Sequence, residues 1–112
     1  MSQITTHVLD TARGVPAQGI TIKLHQNINQ DWQEIGVGVT NNDGRVNDLI
    51  IDDTRLSPGS YKLTFELAAY FKAHGMKVFY PEATIVFQVS DDSHYHIPLL
   101  LNPFGYSTYR GS

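Results

Sequence analysis

Apolar residues recur at every second position in one run after another of this chain. Ile20, Ile22 and Leu24 alternate with Thr21, Lys23 and His25, and Tyr61, Leu63, Phe65 and Leu67 repeat the pattern. Tyr95, Ile97, Leu99 and Leu101 do so again, against His94, His96, Pro98 and Leu100. Residues two apart share one face of a strand, so each run predicts a strand with one face in a core. The other face of the third run is still half apolar. A freely solvated surface would not need that, and the pattern predicts a cover supplied by another subunit.

The segments between the runs are turn-like. Ile4, Thr6 and Val8 open the chain as a strand that turns His7 outward, and Asp10 to Pro16 breaks it. Gln26 to Asp31 reads as a polar turn. Trp32, Ile35, Val37 and Val39 mark a further strand, with Gly36 and Gly38 on its opposite face where something can approach closely. Thr40-Asn41-Asn42-Asp43-Gly44 predicts a tight turn just before Arg45, because Gly supplies a positive φ without steric cost. Arg45 to Asn47 reads as a short strand, and Asp48 to Pro58 as a loop with a Leu49-Ile50-Ile51 plug. Leu67, Tyr70, Phe71 and His74 fall at helical spacing, which predicts a short helix over 66–74 capped by Gly75. Val78 to Pro81 is an apolar loop. Thr84 to Val89 reads as a strand, Ser90 to Ser93 as a hairpin loop, and Phe104 to Tyr109 as a closing strand with a Tyr-rich face fit to pair across a dimer. About eight strands and one helix of about two turns predict an all-β two-sheet sandwich.

A length of 112 residues supports a single domain, 1–112, with one core. A formal charge of −3 gives no electrostatic reason to expect a nucleic-acid partner. With 0 Cys there is no disulfide, thiolate metal site or Cys nucleophile. The first residues show neither a basic nor a continuous apolar leader, and no run approaches the roughly 20 apolar residues needed to cross a bilayer. The expectation is a cytoplasmic protein without a membrane partner.

Chemistry on such a chain falls to His7, His25, His94, His96 and Arg45. Imidazole takes up and returns a proton near neutral pH. A guanidinium offers a planar fork to carbonyl oxygens and steadies developing negative charge. A histidine on a polar strand face is more often merely solvated. His94, His96 and His7 could also serve as three metal ligands, although no carboxylate motif accompanies them. Asp43 and Asp48 could pair as acid and base, but turn aspartates ordinarily serve backbone geometry. Ser112 lacks the neighbours of a nucleophile elbow. Residue types and spacing lead as far as a β-sandwich with a His and Arg site.

Four motifs go further. His7-Val8-Leu9-Asp10 with Gly14-Val15-Pro16-Ala17, Thr40 to Arg45, His94 to Leu101, and the terminal Tyr109-Arg110-Gly111-Ser112 together resemble the transthyretin-related 5-hydroxyisourate hydrolases. The resemblance runs in order from about residue 3 to the last. It implies a transthyretin-like (prealbumin-like) sandwich of two four-stranded sheets, with a short helix after the fifth strand. It implies a homotetramer, a dimer of dimers, with active sites in the channel where dimers meet. The matching catalytic positions are His7, Arg45, His96 and Ser112, with Tyr109, Arg110 and Gly111 completing the substrate-binding set. The implied reaction is opening of 5-hydroxyisourate by water to 2-oxo-4-hydroxy-4-carboxy-5-ureidoimidazoline in urate degradation, with no metal and no cofactor. In that picture one histidine removes a proton from water, the other serves the leaving nitrogen, and Arg45 binds the ring carbonyls. Ser112 orients a histidine or the water. The alternatives are a hormone carrier, since transthyretins proper share the fold, and an interaction module without chemistry. The carrier lineage lacks the Tyr-Arg-Gly-Ser end and the histidine pair that this chain has.

Overall fold

The computed structural model describes residues 2–50 and 54–111. The period-two runs form strands whose apolar faces meet between two sheets. One sheet has the order β4-β3-β6-β7, built from β3 (Thr21–Ile28), β4 (Asp31–Val39), β6 (Gly59–Glu66) and β7 (Glu82–Val89). The other has the order β2-β1-β8-β9, built from β1 (Ile4–Asp10), β2 (Val15–Pro16), β8 (Tyr95–Asn102) and β9 (Gly105–Thr108). A two-residue β5 (Arg45–Val46) also pairs β1, a fifth member beyond the expected four. Ile22, Leu24, Tyr61, Leu63 and Phe65 pack from the first sheet, and Ile4, Val8, Ile97, Leu99 and Leu101 from the second, all at 5 % exposure or less. Burying each such side chain is worth about 1.5–3 kcal/mol, which is why the alternation governs the register.

The helix α1 (Ala68–Ala73) follows β6 and sinks Tyr70 and Phe71. Its end is closed as predicted. Gly75 takes φ 67°, its N–H bonds Lys72 O at 3.1 Å, and Met76 N–H bonds Phe71 O at 2.8 Å. The pattern is a Schellman closure, for which glycine is suited because it carries no Cβ.

Two local expectations change, and a third gains its partner. The turn predicted over 26–31 shrinks to Asn29 and Gln30 at φ 53° and 70°, so β3 and β4 run almost into each other as a two-residue hairpin. The loop Ser90 to Ser93 does not close a hairpin, because β7 pairs β6 in one sheet while β8 pairs β1 in parallel in the other. The crossing is held from below by Gln3, whose Nε2 donates to the Asp91 and Ser93 carbonyls, each at 3.1 Å. In β4 the valines face out, Val37 at 52 % and Val39 at 57 % exposure, and the glycines face in. A Cβ on Gly36 would lie 2.0 Å from Leu49 O, and one on Gly38 would lie 2.5 Å from Val46 Cγ1. The close approach expected at these glycines is thus the β5 strand and the Leu49 plug settling on β4. Ile51, the last residue of that plug, lies outside the described residues.

Candidate active site

Strand register assembles the site. In the parallel β1–β8 pair Thr5 lies opposite His96, and in the antiparallel β1–β5 pair His7 lies opposite Arg45. Thr5 and His7 are two apart, as are His94 and His96, so all of them point to the outer face of one sheet. The turn before β5 fixes where Arg45 begins. Gly44 adopts φ 73°, and Asn41 Oδ1 accepts from the Asp43 and Arg45 amides at 2.9 and 3.0 Å.

The imidazoles are joined by hydrogen bonds rather than merely gathered. His7 Nδ1 lies 2.7 Å from His96 Nε2. His96 Nδ1 lies 2.7 Å from Thr5 Oγ1, and the same hydroxyl lies 2.8 Å from His94 Nε2. His96 is buried at 8 % exposure, His7 is half-buried and His94 is exposed. Burial, then the charge of Arg45, lowers the His7 pKa from its usual range. Burial, then His7, Arg45 and His94, lowers that of His96. The cause is the cost of charging an imidazole out of water and near a cation. Both rings are thereby held neutral near pH 7.

These groups line a cleft of about 330 Å³ together with Asn47, Tyr109 and Gly111. Among the described residues its only formal cation is Arg45, and it has no carboxylate. Asp43 and Asp48 lie off the lining, and His25 stands on β3 in the other sheet. Among the described residues no three His, Cys, Asp or Glu side chains are arranged to hold a metal ion.

The segment after β9 folds back over His96. Gly111 N–H bonds His96 O at 2.7 Å, and a Cβ at Gly111 would lie 2.8 Å from His96 Cδ2 and 3.4 Å from Pro98 Cγ. Part of the half-apolar outer face of β8 is therefore covered by the chain itself, and Pro98 is already buried. Tyr109 reaches the cleft, whereas Arg110 turns behind it. The Arg110 guanidinium sits 4.1 Å from the Tyr95 ring centroid, and its Nη2 donates to Ser93 Oγ at 3.3 Å and His94 O at 3.4 Å. Ser112 lies outside the described residues. His7, His96, Arg45, Tyr109 and Gly111 are thus brought together, and Arg110 is not among them. Thr5 and Asn47 went unnoticed in the sequence. Their signal was position: Thr5 is two residues from His7 on the same face of β1, and Asn47 is two residues from Arg45, just past β5.

Residues 4–111 match the profile of the HIUase/Transthyretin family. The 5-hydroxyisourate hydrolase of Mus musculus is 44 % identical over 114 residues, spanning 99 % of this chain and 96 % of the mouse protein. The structure of Klebsiella pneumoniae 5-hydroxyisourate hydrolase superposes with a TM-score of 0.85 at 37 % identity, covering 100 % of both chains. Sea bream transthyretin, solved in complex with thyroxine, superposes with a TM-score of 0.91 at 30 % identity, covering 97 % of this chain and 94 % of that one. With the sandwich, the register and the full-length likeness in agreement, the chain belongs to the HIUase/Transthyretin family.

Proposed function

We propose that this protein is a 5-hydroxyisourate hydrolase of urate degradation, its 1–112 stretch acting as one transthyretin-like domain. The observation that carries the reading is the 2.7 Å contact between His7 Nδ1 and His96 Nε2 beside Arg45 in an open cleft. A thyroxine-type carrier needs no titratable pair held neutral next to a cation. A hydrolase does, because an uncharged imidazole is the form that accepts a proton from water.

Both nitrogens of His96 are engaged, one by His7 and one by Thr5. His7 lines the cleft and its Nε2 makes no hydrogen bond among the described residues, so His7 is the base. It takes a proton from water as the hydroxide oxygen adds to the ring acyl carbon. Arg45 holds the ring carbonyls and supports the oxyanion. The tetrahedral adduct collapses with cleavage of the ring C–N bond, and the leaving nitrogen takes up the second proton of the attacking water, carried until then on the adduct hydroxyl. Tyr109 and Gly111 close one wall, Arg110 holds that wall in place, and Ser112 orients the water or a histidine. No step calls on a metal or cofactor.

The active assembly is a homotetramer in the cytoplasm, with the cleft completed by a neighbouring protomer. Supporting this are the exposed Phe104 at 62 %, Phe79 at 56 % and Tyr106 at 38 % near the free edge strand β9. No helix among the described residues is long and apolar enough to cross a membrane.

The test follows the absorbance decay of enzymatically generated 5-hydroxyisourate with and without the protein, before and after chelator treatment. Accelerated decay that survives chelation is expected. His7→Ala and His96→Ala proteins, shown to be folded, should lose about 10²–10⁴-fold in rate. Thyroxine binding without ring opening would assign the chain to the carrier class instead.

A further inference from the structure

The hydrogen-bonded chain does not stop at the two histidines, and its far end has no part in the mechanism above. Thr5 is buried at 3 % exposure, with its hydroxyl held between His96 Nδ1 at 2.7 Å and His94 Nε2 at 2.8 Å. A hydroxyl has one proton. It must donate to one imidazole and accept from the other, so its direction sets the tautomers of the whole row.

Only two neutral orderings exist. If Thr5 donates to His94, His96 Nδ1–H donates to Thr5, and His96 Nε2 accepts from His7 Nδ1–H. His7 Nε2 then carries a bare lone pair. If Thr5 donates to His96, each bond reverses, and His7 Nε2 carries the proton while His94 Nδ1 is bare. The two orderings differ by one proton moved between His7 Nε2, in the cleft, and His94 Nδ1, on the exposed residue.

Opening a cyclic amide with water leaves one such proton to dispose of. Water brings two, the leaving nitrogen keeps one, and a carboxylic acid with a pKa near 4 keeps none at neutral pH. We propose that Thr5 and His94 form the outward half of a relay that carries this proton from His7 through His96 to solvent, an inference that rests on the hydrolase reading. The water proton bonds to His7 Nε2, and the His7 Nδ1 proton passes to His96 Nε2. The His96 Nδ1 proton passes to Thr5 Oγ1 as the Thr5 proton passes to His94 Nε2. His94, now holding two N–H bonds, releases its Nδ1 proton to solvent. No alkoxide forms and no charge stays on the buried His96 ring. Once the product has left, His7 Nε2 gives its proton to water entering the cleft while His94 Nδ1 takes one from solvent, each bond of the row reverses, and the base is restored for the next turnover.

Thr5 and His94 are positioning residues here, and the test separates proton conduction from packing. Thr5→Val keeps the shape and removes the hydroxyl, whereas Thr5→Ser keeps the hydroxyl. The expected result is a kcat lowered by roughly 10- to 100-fold in Thr5→Val with KM within about twofold, and near-parental kcat in Thr5→Ser. Added imidazole, a diffusible proton acceptor, should restore kcat in Thr5→Val after subtraction of its uncatalysed rate, and should leave the parent unchanged. His94→Gln gives the same readout should Thr5→Val not fold. A variant with parental kcat, or a loss that imidazole does not restore, overturns the relay. A parent protein that fails to speed ring opening overturns the hydrolase reading itself.

Discussion

At the scale of single residues, the electrostatics of the site is a matter of what keeps two imidazoles uncharged. Burial comes first for both, and Arg45 adds to it. A histidine whose folded pKa is lowered contributes stability above its unfolded value of about 6.5, and that contribution is lost as pH falls through the folded value. Urea midpoints should therefore hold steady above pH 7 and decline at acid pH, more shallowly in a His7→Gln, His96→Gln double variant. The acid limb of the kcat/KM profile should lie below pH 6.5 in the parent and move up toward it in Arg45→Gln. That variant should also lose about 10²–10³-fold in rate near neutral pH, through the missing oxyanion support. An acid limb that stays in place would show that Arg45 does not act on the pair. Gly111→Ala is a gentler probe. Its Cβ would meet His96 Cδ2 at 2.8 Å, closer than a Cβ is tolerated, so the ring must shift. About tenfold lower kcat with an unchanged Tm is expected, because near-attack geometry tolerates little displacement.

At the scale of elements, the strands were legible because period two is written into them. Ile22 and Leu24, then Tyr61, Leu63 and Phe65, and then Ile97, Leu99 and Leu101 all face the core where alternation put them. The helix was legible from its change of period and from Gly75. The crossing at Ser90 to Ser93 was not, since a polar four-residue link looks alike whether it joins neighbours in one sheet or passes between two. What decides it is non-local: Gln3 binding two carbonyls of the crossing, and Tyr95 OH donating to Asp91 Oδ1 at 2.8 Å. Which face of β4 is inward was not legible for a related reason. Its inward face is kept small so that Leu49 can reach it, so the valines stand on the outer side. Gly36→Ala should therefore be costly. With Leu49 O only 2.0 Å from the new Cβ, backbone must move, and about 1–3 kcal/mol of stability should be lost. A fall in Tm of roughly 5–15 °C checks it. Of the site, His7, Arg45 and His96 were legible through motifs. Thr5 was hidden because a strand threonine needs no special explanation until its hydroxyl is seen between two imidazoles.

At the scale of the molecule, the two sheets share one interior, so a single truncation anywhere in it is felt throughout. Leu99 is fully buried on β8, directly opposite Val8 of β1. Leu99→Ala should cost about 2–5 kcal/mol by denaturant unfolding, with β1 and β8 loosened together. The surface carries a different message. Phe79, Tyr80, Phe104 and Tyr106 form a contiguous aromatic group, with centroid separations from 4.8 to 5.9 Å, beside β9, which has no further strand at its outer edge among the described residues. Sedimentation should give a tetramer, and Phe104→Glu should shift it to smaller species; a monomeric parent would refute the proposed assembly.

The parallel pairing of β1 with β8 has a consequence for biosynthesis. Ile4 must wait for Tyr95, Thr5 for His96 and Val8 for Leu99. At about 5–20 residues per second a ribosome needs roughly 5–20 s to supply those partners, during which β1 exists as a nascent segment with one flank unmatched. Competence thus arrives late and all at once. A stalled translation product lacking residues 95–112 would hold the guanidinium and the first imidazole with nothing to act beside, and would offer chaperones a vacant strand to hold.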